Sequence, residues 1–466
     1  MEVNLRTWPR RLVARPWLLA FLPINAATSG FGVVLPLLIL IPLHGSWADV
    51  ALAATLYNSA LILSSVVWGH LSDRYPYRRA FLIVNFAGYA GLYALLGHVG
   101  SLPWLFATYA AIGAIAPAGA SASNLLILEK FSEAERATAF ASFQEVSMIG
   151  SLIGLLLGYF WTLGSSGLLT LLSVFAAFAL VSALAVGWGI SEGERQLRGT
   201  HVARHPESLA ARLHPTGPAH TAIPFFPRRL RFGPAAWARF RLWALEEIHH
   251  EIPLILIASF LFNLSANLFN ISYTPFLYSA GLAASSIFLV NLSNNFAQTL
   301  IFPVTGALAN RTGADRLVHT ATYLRGLGYL ATAGLTFVAL TRASAFGANL
   351  GIYALLGGAI AVYTTASALI LFRGIAGRDA GALLGVNSAL GGVAAVAGAG
   401  LSGLLAVFGS FRLVFLVSGA ILLTSLPLWT AASVAYRRRR PAAAARRGTA
   451  GRAGSSVSPP DAAPGP

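Results

Sequence analysis

The sequence predicts an all-α membrane protein of twelve transmembrane helices, arranged as two pseudo-symmetric six-helix bundles. Three observations carry this. The 466 residues are 56% hydrophobic and only 10% charged, with a mean hydropathy of +0.68, more apolar surface than a water-soluble shell can hide. Apolar stretches recur near the ~20 residues that a helix needs to cross ~30 Å of hydrocarbon. They fall into two groups of six around a polar insert, and features of the first group reappear about 240 residues later in the second.

Windows of about 19 residues place spans at 17–41, 48–71, 80–98, 103–128, 137–160 and 167–190, then at 252–278, 284–308, 317–340, 345–371, 380–407 and 411–435. The domain reading follows: an arm at 1–16, a bundle at 17–190, a linker at 191–250, a second bundle at 251–435 and a basic tail at 436–466. Arg6, Arg10, Arg11 and Arg15 ahead of an apolar run imitate a secretory signal, but the run continues to Pro42, as an uncleaved first span does. Within the linker, 206–234 is rich in Pro and Arg. Ala235 to His250 lacks Pro and Gly and spaces Trp237, Phe240, Trp243 and Ile248 as an amphipathic helix, either on the inner leaflet or solvated. The tail from Pro441, rich in Ala, Arg, Gly, Ser and Pro, reads as disordered.

The formal charge of +16 comes from arginines that avoid the apolar segments and gather in the tails and alternate loops. This is the pattern of a chain beside an anionic leaflet, not of a nucleic-acid binder. The opposite connections hold only Arg342 and Arg412, so both termini and the linker are expected in the cytoplasm, with anionic lipids as partners there and the cell membrane as the location. Cysteine is absent, which removes disulfides and thiolate metal sites; no phosphate-binding loop, metal-ligand spacing or catalytic triad occurs, so neither cofactor nor enzyme is expected.

The repeat is clearest where Gly69-His-Leu-Ser-Asp73-Arg74, closing at Arg78-Arg79, matches Gly306-Ala-Leu-Ala-Asn310-Arg311, closing at Asp315-Arg316. Pro36 matches Pro275; Tyr109, Gly113 and Glu129 match Tyr353, Gly357 and Arg373; Arg136, Glu145 and Gly150 match Arg378, Asn387 and Gly392. The segment from Gly69 to Arg79 resembles the signature loop between the second and third helices of the major facilitator superfamily, with Pro76 where that family usually has Gly and Asn310 replacing Asp in the second copy. The resemblance extends over nearly all of 1–440 in span count, loop position and duplication. It implies a secondary transporter that moves a small molecule by alternating access, as a monomer. A transport-inactive relative acting as a membrane sensor or scaffold is the other reading.

Gly69 reads as a point of close helix approach, Asp73 as a charge near a helix end, and Arg74, Arg78 and Arg79 as charges kept out of lipid. By resemblance the loop is a cytoplasmic latch, with Glu129, Arg136, Arg373 and Arg378 as partners and Asn310, Arg311 and Arg316 as its second copy. Gly150, Gly154 and Gly158 clear one face of the fifth span for a neighbour's backbone, and the glycines from Gly391 to Gly403 do the same in the eleventh.

Polar side chains at depth mark cavities or interhelical bonds. Asn25 and Thr28 in the first span, Asn263, Asn267 and Asn270 on one face of the seventh, and Asn387 in the eleventh are the cavity candidates; Asn291, Asn294, Asn295 and Gln298 supply more amides in the eighth. So furnished, a cavity suits a neutral or weakly amphipathic solute. Glu145, the carboxylate placed well inside a span, is the proton-coupling candidate, or else an ion-pair partner of the latch.

Overall fold

The computed structural model describes residues 16–75, 77–131, 133–164, 167–190, 251–339, 341–374, 380–408 and 410–453. A 3₁₀ turn, Pro16–Ala20, leads into α1 (Phe21–Leu40), followed by α2 (Trp47–Arg74), α3 (Arg78–Leu96), α4 (Leu102–Lys130), α5 (Glu133–Leu163) and α6 (Leu168–Gly189). The second half comprises α7 (Glu251–Ser279), α8 (Ala284–Thr312), α9 (Ala314–Leu335), α10 (Arg342–Gly374), α11 (Ala380–Phe408) and α12 (Phe411–Ala453). These match the twelve expected spans in order. The amphipathic helix expected at 235–250 lies outside the described residues.

Eleven of the helices are long and apolar enough to span a bilayer by themselves, and α9 is the exception among the described residues. Asp315, Arg316, His319 and Arg325 dilute its hydropathy, so its place in the bundle rests on neighbours. The tail expectation is corrected in part: α12 runs on through Ala453, so 436–453 is helical rather than disordered. Alanine, the strongest helix former, outweighs the scattered glycines there.

Local chemistry sets the ends. Ser46 caps α2, its Oγ accepting from the Asp49 N–H (3.3 Å) while the Asp49 carboxylate accepts from the Ser46 N–H (2.7 Å). Gly313 adopts a φ of +88°, which lets the chain turn from α8 directly into α9.

Each half packs the same helix pairs. In the first, α1 lies on α5 and α6, α2 on α4, and α3 on α4 and α6; in the second, α7 lies on α11 and α12, α8 on α10, and α9 on α10 and α12. The correspondence reaches single atoms. A Cβ on Gly150 would meet the Leu22 carbonyl (2.5 Å) and Asn25 Cβ (2.9 Å); one on Gly398 would meet the Leu264 carbonyl (2.8 Å) and Asn267 Cβ (2.9 Å). Gly113 faces the Tyr57 carbonyl as Gly357 faces that of Asn294. Phe31 meets Tyr109 (5.8 Å between centroids) as Tyr273 meets Tyr353 (4.3 Å).

These contacts correct one sequence alignment. Gly150 corresponds to Gly398 rather than Gly392, so the pairing of Glu145 with Asn387 also shifts by six residues. Helix packing recognises which glycine meets the neighbouring backbone, and α11 carries too many glycines for sequence spacing alone to pick that one.

The halves join through α2 on α11 and α5 on α8, pairs that exchange under the repeat. Trp47 stacks on Phe411 (4.1 Å), a Cβ on Gly403 would sit 3.2 Å from Ala51 Cβ, and Gly158 receives the Phe288 ring. These three contacts lie at the arginine-poor end.

The sequence assigned α5's glycines to packing, and Gly154 is the tightest case, since its Cβ would overlap the Ala26 carbonyl. Gly154→Ala should therefore destabilise the protein by about 1–3 kcal/mol, the usual range for overpacking, read as a lower melting temperature in detergent. Gly32→Ala, where a Cβ meets nothing within 4 Å, should leave melting unchanged or raise it.

Candidate functional site

The cavity candidates occupy the helices that face the other half, but several are engaged by their own helix. Asn25 Nδ2 donates to the Phe21 carbonyl (2.7 Å) and Thr28 Oγ1 to that of Ile24 (3.0 Å). Asn263 and Asn267 repeat the pattern toward Ser259 (2.8 Å) and Asn263 (2.9 Å). Each amide keeps its side-chain oxygen and a second N–H for another partner. Asn25 and Asn267 lie behind the Gly150 and Gly398 crossings, which explains their match across the repeat.

Asn270, one turn beyond Asn267, is exposed although it sits within α7. Asn387 is half-buried on α11, one turn before Gly391, and Gly391 faces the Asn263 amide at 4.0 Å. Asn263 thus faces α11 one turn from Asn387. On α8, Asn294 Nδ2 reaches the Tyr353 carbonyl of α10 (2.9 Å) and Gln298 Nε2 reaches Asn294 Oδ1 (2.7 Å), an interhelical lock. Opposite it in the repeat, Tyr57 stacks on Tyr109 (4.6 Å, 16°). Glu145 is half-buried in α5, two turns from Ser151, whose hydroxyl accepts from Ser29 of α1 (2.7 Å).

At the arginine-rich end the signature loop holds its own bundle together. Arg78 is buried (7% exposed) and donates to the carbonyls of Ser72 and Tyr75 (3.3 Å to the latter) as α2 ends. Arg79 reaches across to the Gly187 carbonyl of α6. Both guanidiniums therefore satisfy orphan carbonyls at helix C-termini, where the helix dipole also favours positive charge. Arg74 is exposed beside the Tyr75 ring, and Asn310, Arg311 and Arg316 are exposed. The expected role of Gly69 is corrected: a Cβ there, or on Gly306, would meet nothing within 4 Å, so neither glycine serves a close approach. The side chains of Asp73, Glu129, Arg136 and Arg373, and all of Arg378, lie outside the described residues.

One charged residue overturns the expectation that arginines avoid the spans. Arg325, in the middle of α9, is 4% exposed. Its Nε donates to Tyr329 Oη (2.6 Å), and its Cζ lies 5.2 Å from the Phe262 ring centroid and 5.4 Å from that of Tyr329. Phe262 stacks on Tyr363 of α10, which meets Trp429 of α12 edge-on (6.1 Å, 80°). Ring faces return about 0.5–2 kcal/mol to a cation, against several kcal/mol for taking one out of water. Arg325 is thus a strongly under-compensated charge.

A repeat signal for this residue was present in the sequence. Asn85-Phe-Ala-Gly88-Tyr89 of α3 corresponds to Arg325-Gly-Leu-Gly328-Tyr329 of α9. Gly88 packs on Ile115 of α4 and Gly328 on Leu356 of α10. Asn85 bonds the Ile115 carbonyl (2.7 Å) and stands one turn before Tyr89, as Arg325 stands one turn before Tyr329, which it bonds.

Comparison with known proteins agrees with this architecture. The family model described as Major Facilitator Superfamily matches residues 17–318. No curated protein matches in sequence. Among solved structures, the nucleoside transporter NupG is similar at a TM-score of 0.66 and 12% identity, over 91% of this chain and 99% of that one. A POT family transporter in complex with a thioalcohol-conjugated peptide is similar at 0.63 and 11%, over 91% and 95%. With its twelve helices, its duplicated packing and its matched model, the chain belongs to the major facilitator superfamily and is a multi-pass secondary transporter.

Proposed function

We propose that the chain carries a small organic solute through the space between its halves, and that it is described here in a state closed at the arginine-poor end and open at the arginine-rich, cytoplasmic end. The observation that carries this is the uneven meeting of the halves. Trp47 stacks on Phe411 and Gly158 receives the Phe288 ring at one end, while among the described residues α4 and α10 share no substantial contact. Rocking of two bundles about the contacts they share is what alternating access requires.

Asn263, Asn270 and Asn387 are the amides best placed to meet the solute, with Asn25, Thr28 and Asn267 shaping the crossings behind them. Tyr57 and Tyr109 offer aromatic faces on the opposite wall. Amides and rings recognise a solute with hydrogen-bonding groups on an apolar frame. The solutes named for the two structural relatives, nucleosides and a peptide conjugate, are of that kind. Glu145, half-buried in α5, is the proposed proton carrier.

The lack of cysteine makes the closed end directly testable. In Trp47→Cys/Phe411→Cys, a short thiol crosslinker should abolish flux into proteoliposomes, and reduction should restore it; undiminished flux after crosslinking would refute closure at that end. For coupling, gradient-driven uptake of a library solute should be lost in Glu145→Gln while exchange persists. Equal uptake with and without a pH gradient in the wild type would make the protein a facilitator.

The loop yields a stability contrast. Arg78→Ala leaves carbonyls of Ser72 and Tyr75 without their donor, and should cost about 1–3 kcal/mol with lower melting and flux. Arg74→Ala, at an exposed site, should change stability by less than ~0.5 kcal/mol.

A further inference from the structure

We infer that the interior of the second bundle around Arg325 is a binding site for one small monovalent anion, a halide or a carboxylate. A guanidinium carries a fixed positive charge. Among the described residues Arg325 forms no ion pair, and its hydrogen bond is the one from Nε to Tyr329.

The bundle has little negative charge to offer. From residue 252 to 435 the sequence holds only Asp315 and Asp379 as acidic residues. Asp315 stands ten residues before Arg325 on α9, about 15 Å of helix rise, and its carboxylate accepts from Ser433 Oγ (2.9 Å). Glu251 opens α7 eleven residues before Phe262, a similar distance toward the arginine-rich end. Asp379 lies outside the described residues.

Two fully buried polar groups of the same bundle can donate and lack an acceptor. Thr322, one turn before Arg325 on α9, and Trp429 are fully buried, and neither Thr322 Oγ1 nor Trp429 Nε1 has a hydrogen-bond partner. An indole N–H can only donate. Trp429 reaches the Arg325 cluster through Tyr363 and Phe262. A buried cation and unpaired buried donors within one bundle are the complement of a desolvated anion.

The first bundle shows that the fold itself does not ask for the charge. It places neutral Asn85 at the matching position, again one turn before a tyrosine, and satisfies that amide with the Ile115 carbonyl. What the second bundle adds is one positive charge in an interior bounded by α7 and α10, two helices that also face the solute space. The anion is therefore either a resident ion or the anionic group of the solute; only the second case rests on the transport reading above.

The test uses the full-length protein in detergent at constant ionic strength, replacing bulky 2-morpholinoethanesulfonate stepwise with chloride or, separately, acetate. Binding to the folded state should raise the melting temperature saturably by a few degrees. Arg325→Asn, which restores the first bundle's residue, should abolish the response and melt no lower than wild type in the sulfonate. Arg325→Lys should keep the response with weaker affinity, and it serves together with the wild-type titration should the asparagine variant fail to fold. A chloride response that leaves proteoliposome flux unaltered assigns a resident ion; a carboxylate response competed by the transported solute assigns the solute's own group. Identical wild-type melting in all three salts, or a response that survives Arg325→Asn, would overturn the proposal.

Discussion

Close crossings of helix backbones at glycine are the constraint on which the rest of this structure depends. In lipid, apolar side chains gain little by leaving one hydrocarbon phase for another, so helices associate through tight packing and interhelical hydrogen bonds. Gly150 and Gly154 bring α5 onto the carbonyls of α1, Gly398 brings α11 onto α7, and Gly113 and Gly357 bring α4 onto α2 and α10 onto α8. Hydroxyl pairs reinforce the same crossings: Ser29 with Ser151, and Ser272 with Ser402 (2.7 Å each). Each half is thereby a rigid body, and motion is left to the interface between halves, where Trp47 meets Phe411 and Gly158 meets Phe288.

The polar residues divide along the same line. Within each bundle, amides and hydroxyls mostly close on their own or the next helix, as Asn294 does on Tyr353 and Asn349 on Tyr273 (3.1 Å). Such bonds fix helix rotation and leave few groups for a ligand. The exceptions are informative because each retains unmet capacity at depth: exposed Asn270 and buried Arg325. The signature loop belongs to the rigid-body set, since Arg78 and Arg79 tie α2 and α6 within one bundle.

Span count, span order and duplication were legible from hydropathy and from the Gly69 and Gly306 segments, because these depend on composition and local spacing. The packing use of Gly150, Gly154 and Gly158 was legible for the same reason. Register between α5 and α11 was not, because several glycines of α11 are equally spaced for a crossing and only the Leu264 carbonyl distinguishes Gly398. Arg325 escaped because hydropathy averaged over a span absorbs a single charge, although its repeat partner in Asn85-Phe-Ala-Gly-Tyr89 was visible in the sequence. The candidate amides were legible as polar groups at depth; which of them their own helix already engages is a matter of rotamer and neighbour.

The central claim is that two rigid bundles rock so that one end opens as the other closes. The most direct measurement is a pair of spin-label distances in lipid nanodiscs on the naturally cysteine-free chain. One pair spans the arginine-poor end, Ser101→Cys with Thr341→Cys; the other spans the arginine-rich end, Arg74→Cys with Arg311→Cys, all exposed positions. The account predicts two populations at each end that shift reciprocally with pH or solute, the first pair lengthening as the second shortens. A single unchanging distance at both ends, or lengthening at both together, would contradict it.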